Sequence, residues 1–178
     1  LGAENARTVY DGADGVQVGS ALRRLAFALY FGDYEILLSN DVTAQSKMLM
    51  RRVVAERVQR LAPFLTLDAD PYLVVSAEGR LVWIIDAYTS SDRFPYAAAL
   101  RLSASSGGGV ANYMRNSVKV VVDAYDGTPS FYVVAPDDPI IRAWQAVFPT
   151  LLQPAEAMPE GLRAHWRYPE ALFTAQAR

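Results

Sequence analysis

The 178-residue chain contains no cysteine. That absence removes disulfides, thiolate zinc sites, iron–sulfur clusters and cysteine nucleophiles from its chemistry. There is one histidine, His165, so no histidine pair can hold a metal, and a histidine-based triad would have to use that residue. Lysine is also scarce: Lys47 and Lys119 are the only two among 17 cations, and the other fifteen are arginines scattered along the chain. Against 19 acids they leave a formal net charge of −2, with no run of three like charges. A nucleic-acid surface needs a concentrated positive field, so no nucleic-acid partner is expected. Long hydrophobic runs are missing too. Stretches such as Leu25 to Gly32 fall far short of the ~20 apolar residues that cross a bilayer.

What is present is the composition of a folded domain: 52% hydrophobic and 20% charged residues. A chain of this length buries enough surface to fold as a single domain without disulfides or a structural metal. Its first residue is Leu1 rather than methionine, and Arg178 interrupts a segment that still reads as helix, so the expectation is a piece of a longer polypeptide.

Local patterns give the order of elements. Leu1 to Gly19 reads as an extended or looped lead-in. Ser20 is an N-cap for a helix through Tyr30, with Leu22, Leu25, Ala26 and Leu29 on one face and Gly32 as its stop. Asp33 caps one further turn through Leu38. Thr43 opens a predicted long helix over 44–61, halted before Pro63. Its broad apolar face carries Leu49, Met50, Val53, Val54, Val58 and Leu61, with Arg57 projecting into the middle. An arginine there must snorkel, find a carboxylate or bind a ligand.

After Pro63 the period changes to that of strands. Tyr72 to Ser76 and Leu81 to Thr89 form a hairpin across Ala77-Glu78-Gly79-Arg80, and Ser117 to Tyr125 and Ser130 to Val134 form another across Asp126-Gly127-Thr128-Pro129. Both faces of the 81–89 strand are apolar, which predicts a central position covered on both sides. Ser103 to Gly109 is a glycine-rich surface loop between the hairpins. Both long strands end in Asp-Ala-Tyr, at Asp86 and at Asp123, which suggests that the two aspartates share one edge of the sheet. Asp138-Pro139 opens a helix to Pro149, and shorter helices follow Pro159 and Pro169. The fold class expected is α+β: an antiparallel sheet of two hairpins, with helices before and after packing on it.

Chemistry is sparse. Asp86 and Asp123 could do general acid–base work if they converged, and aspartate at a strand end is equally the ordinary turn residue. Asp68-Ala69-Asp70 has two acids of the three that a calcium loop would carry and runs into Pro71, so no metal site is expected. Gly107-Gly108-Gly109 lacks the lysine of a P-loop, and no Gly-x-Ser-x-Gly elbow accompanies His165. No cofactor is implied.

Longer runs are more specific. Phe27-Ala28-Leu29-Tyr30-Phe31-Gly32-Asp33, Ala62-Pro63-Phe64-Leu65 with Asp70-Pro71-Tyr72-Leu73-Val74-Val75, and Trp83 to Tyr96 (WIIDAYTSSDRFPY) are three of them. Asn112 to Tyr125 (NYMRNSVKVVVDAY), Pro136 to Arg142 (PDDPIIR) and Leu162 to Glu170 (LRAHWRYPE) complete the set. Together they resemble the soluble region of uncharacterised protein family 0182, from about Gly12 to the end and lapsing at the glycine-rich stretch. The resemblance implies a bacterial multi-pass integral membrane protein at the cell membrane, of which this chain is a soluble part. It transfers no catalytic or binding residues. The absence of cysteine permits an extracytoplasmic position. The function expected is non-enzymatic assembly, with the remainder of the parent protein or other membrane-associated proteins as partner. The alternative is an enzyme or small-ligand binder that gathers Asp86, Asp123 and Arg57 in one pocket.

Overall fold

The computed structural model describes residues 10–101 and 109–177, and divides the chain into two compact units, Leu1–Arg51 and Arg52–Arg178. The predicted loop at Ser103 to Gly109 falls outside the described residues except at Gly109.

In the first unit, β1 (Val16–Gln17) precedes α1 (Ala21–Phe31) and α2 (Glu35–Leu38), and β2 (Lys47–Met48) pairs antiparallel with β1. Ser20 caps α1 by accepting from the Arg23 amide, and Gly32 ends it in the left-handed region that a side chain would resist. The Asp33 carboxylate accepts from the Glu35 amide at the start of α2.

The long helix expected over 44–61 does not form. Only its last part is helical, α3 (Val54–Leu61), and this belongs to the second unit. The competing interactions are local. The Ser46 hydroxyl accepts from the Thr43 amide at 2.9 Å, the Thr43 hydroxyl accepts from the Gln45 amide, and Lys47 and Met48 are drawn into a strand. Arg51 then takes a positive φ of 53°, which no helix can continue through.

The second unit is built on one six-stranded sheet. β3 (Thr66–Leu67) and β4 (Tyr72–Val75) both pair with β5 (Leu81–Ser91), and β5 pairs with β8 (Tyr113–Asp123). A separate two-stranded ribbon, β6 (Leu100–Arg101) with β7 (Val110–Ala111), lies between them in sequence. β8 pairs with β9 (Pro129–Val133), and both expected hairpins are present, closed by positive φ at Gly79 and Gly127. Next come α4 (Pro139–Val147) and β10 (Leu152–Pro154), which runs parallel to β9 and extends the sheet by a strand not foreseen in the sequence. The chain then enters α5 (Glu160–Arg163) and α6 (Glu170–Gln176). The fold is α+β.

β5 is central, as its two apolar faces predicted. Ile85 and Ala87 face a core with Val58, Val120, Phe131 and Ile141, while Val82 and Ile84 face a second core with Tyr72, Met158 and Leu162. α3 and α4 thus cover one face, and the segment that carries α5 covers the other. A register shift between Ala87 and Tyr88 interrupts the β5–β8 ladder, and beyond it Thr89 lies within reach of the start of α4.

Candidate functional site

The two aspartates do not share an edge. β5 and β8 are antiparallel, so the matching Asp-Ala-Tyr endings point in opposite directions. Asp123 stands opposite Val82 at the end of β8, whereas Asp86 stands opposite Lys119 in mid-strand.

Asp123 organises the β8–β9 turn. One of its carboxylate oxygens accepts from the Tyr125 and Asp126 amides at 2.9 and 2.7 Å, and the other pairs with Arg80 at 2.8 Å. Arg57 reaches the same turn from α3 and donates to the Gly127 carbonyl at 2.9 Å. Any side chain at Gly127 would collide with that guanidinium, since its Cβ would lie 2.4 Å from an Arg57 nitrogen. Arg52 donates to the Ala124 and Tyr125 carbonyls. A cavity of about 90 Å³ between them is lined by Arg52, Arg57, Trp83, Asp123 and Gly127. The structure therefore brings Arg57 and Asp123 to one place. Their hydrogen bonds there hold the turn together.

Asp86 belongs to a buried cluster on the opposite face. Its carboxylate accepts from the Lys119 ammonium, directly across the ladder, and the two residues are 4% and 3% exposed. Lys119 also donates to the Arg167 carbonyl at 3.2 Å and lies 5.8 Å from the centre of the Trp166 ring. Beside this pair the Tyr88 hydroxyl donates to Asp68, which also accepts from the Ala171 amide at 3.3 Å and the Asp70 amide at 3.1 Å. Burial raises the Asp86 pKa even with Lys119 beside it. Burial pushes the nearby Tyr72 phenol up to about 12, and burial with the Asp68 contact raises that of Tyr88.

A third polar group, Asp138, was read in the sequence only as a helix cap. It is fully buried and caps α4 by accepting from the Ile140 and Ile141 amides at 3.0 and 3.4 Å. It also accepts from the hydroxyls of Thr89 and Ser117, each at 2.5 Å, and of Tyr113 at 2.7 Å. Burial acts to raise its pKa, but the bonds from Ser117, Thr89 and Tyr113 prevail and hold the carboxyl below the usual range.

Sequence reasoning missed Lys119, although a signal was present. A lone cation within Val118–Val122, in a strand with apolar neighbours on both sides, requires a buried counter-charge. Asp68 was considered only as half of a cation loop. Among the described residues no group of three or more His, Asp or Glu side chains could hold a metal. His165 is exposed.

The first unit carries a different kind of feature. Leu22, Leu25 and Leu29 lie on the apolar face of α1, and Leu22 is 77% and Leu29 75% exposed. Ala28, on another side of the helix, is the buried residue of α1. Tyr30, Phe31, Tyr34 and Leu38 are exposed as well, so α1 and α2 together present several large apolar and aromatic side chains to solvent.

Comparison with known proteins places this geometry in a lineage. The profile of the Uncharacterised protein family (UPF0182) matches residues 1–178, and the chain belongs to that family. A UPF0182 protein of Cupriavidus necator is 50% identical over 177 residues, 99% of this chain and 19% of the relative. One from Methanospirillum hungatei is 49% identical over 179 residues, again 99% and 19%. One from Geobacter sulfurreducens is 51% identical over 173 residues, 97% and 19%. The chain thus spans about a fifth of the length of these relatives. No solved structure matches it.

Proposed function

We propose that the chain is a non-enzymatic assembly domain of a membrane-embedded polypeptide, and that the α1–α2 surface docks against the remainder of that same polypeptide. The observation that carries this reading is the exposure of Leu22, Leu25, Leu29, Tyr30, Phe31, Tyr34 and Leu38 along one helical hairpin. Large apolar side chains exposed in such number on one short stretch support an interaction site. The occupant is argued from length: the relatives are about five times longer than the segment matched here, which supplies ample chain to cover the hairpin. No helix among the described residues is long and apolar enough to cross a membrane. The spans that this reading requires are assigned to the part of the relatives outside the match, with the protein at the cell membrane.

The absence of cysteine makes the test clean. Single cysteines replacing Leu22, Leu29 or Tyr34 are compared in the 178-residue chain and in the full-length protein, in a background without other cysteines, with Arg93→Cys as an exposed control. Maleimide should label all four sites in the short chain and only the control site in the full-length protein. Equal labelling of the hairpin in both would refute the docking. Reading the full-length sequence for apolar stretches of about 20 residues tests the membrane context separately.

A further inference from the structure

We propose that residues 167–177 form a detachable strap over the Lys119–Asp86 cluster, so that the second unit has a closed state and an open state in which one face of the sheet presents Lys119, Asp86, Asp68, Tyr72 and Tyr88 together. The strap differs from everything else on that face in what holds it. Met158 and Leu162, just before it, are buried in the core, but within the strap α6 buries no residue and only Pro169 is buried outside it. Trp166, which packs against that core, ends the firmly held part, and beyond it the contacts are polar. The Arg167 carbonyl accepts from Lys119, the Arg167 guanidinium stacks 4.2 Å from the Tyr72 ring centre, and the Ala171 amide donates to Asp68.

Two of those contacts are made to charged groups, Lys119 and Asp68, that the strap itself helps to shield from water. Opening it exchanges a few hydrogen bonds for solvation of a lysine and two carboxylates, and desolvated charges regain much of what the bonds contributed. A segment with so little apolar burial belongs to the low-stability end of a fold, where opening precedes global unfolding. The β5–β8 ladder beneath, with Ile84, Ile85, Val118 and Val120 fully buried, belongs to the other end. This inference concerns the second unit alone and does not depend on the docking reading.

Lys119 reports the motion because the chain has one other lysine, Lys47, as an internal reference. Hydrogen exchange and amine acetylation, both read by mass spectrometry on the 178-residue chain, should show the strap amides exchanging at least about 100-fold faster than those of β5 and β8. Lys119 acetylation should follow the strap rate. Arg167→Ala should raise Lys119 acetylation about 10-fold while β5 and β8 protection and Lys47 acetylation stay unchanged. If Lys119 becomes reactive only when β5 and β8 lose protection, in the wild type or in the variant, the strap is an integral part of the core and the proposal fails. The same holds if strap and sheet amides exchange together.

Discussion

Asp86 and Asp138 are both buried aspartates packed on the same central pair of strands, and the sheet face each occupies treats its charge in opposite ways. On the α4 face, Asp138 meets neutral donors only: three hydroxyls and two helix amides. Such a carboxylate is solvated by the protein, and its pKa is held down. On the other face, Asp86 meets one ammonium, the Asn116 side chain and the nearby Asp68 charge, and burial raises its pKa in spite of the first two. Preorganised dipoles stabilise a buried charge more completely than one opposite charge does, because the ammonium brings its own desolvation cost. The first arrangement fixes a helix to a sheet. The second leaves a boundary that can open.

The sharpest way to break the contrast is to remove one partner from the ion pair. Lys119→Met leaves Asp86 buried without its counter-charge and should cost about 3–5 kcal/mol, whereas Lys119→Met combined with Asp86→Leu should recover most of that loss. Urea unfolding of the single and double variants decides it; a double variant as unstable as the single one would show that the pair itself holds the fold.

A smaller effect is expected on the other face. Asp138→Ala removes the α4 cap and strands the Thr89 and Ser117 hydroxyls, costing about 2–3 kcal/mol. The two aspartates should also separate in acid. A carboxylate with a depressed folded pKa contributes stability that is present above its unfolded value, about 3.9, and lost as pH falls through the folded value. For Asp86, with a raised folded pKa, the contribution is present below about 3.9 and lost as pH rises through the folded value. Unfolding midpoints measured from pH 7 downward should therefore fall less steeply in Asp138→Asn than in the wild type, and at least as steeply in Asp86→Asn. Identical acid limbs in all three proteins would contradict the contrast.

The smallest effect belongs to the exposed pair at the sheet's end. Arg80 is half exposed and bonded to Asp123 and Asp126 in water. Arg80→Ala should leave the unfolding midpoint indistinguishable from wild type in high salt, since such pairs are screened. A clear loss of stability would place the β8–β9 turn among the determinants of the fold.

The sequence was informative wherever a pattern is set by the chain's own neighbours. Alternating apolar residues and turn glycines placed β4, β5, β8 and β9, and Asp138-Pro139 placed the start of α4. It was silent where the outcome depends on what lies across space. The 3.6-residue period of Leu22, Leu25 and Leu29 identifies an apolar face of α1 but not the direction it points, and here it points to solvent. Helical periodicity over 44–61 lost to hydroxyl–backbone bonds at Thr43 and Ser46 and to strand pairing at Lys47. Of the site residues, Asp123 and Arg57 do meet, while the partner of Asp86 could be found only from the register of β5 against β8.

β10 has a consequence for how copies of this protein coexist. A parallel strand of three residues ending in Pro154 occupies the outer side of β9, so the polar backbone of Phe131–Val133 is already paired when the sheet is complete. Proline and brevity make a poor template for a further strand. The sheet is thereby blunted against growth from molecule to molecule at this margin. Loss of Leu152–Pro154 would bare a β-branched and aromatic edge and open the way to fibrillar, backbone-driven association.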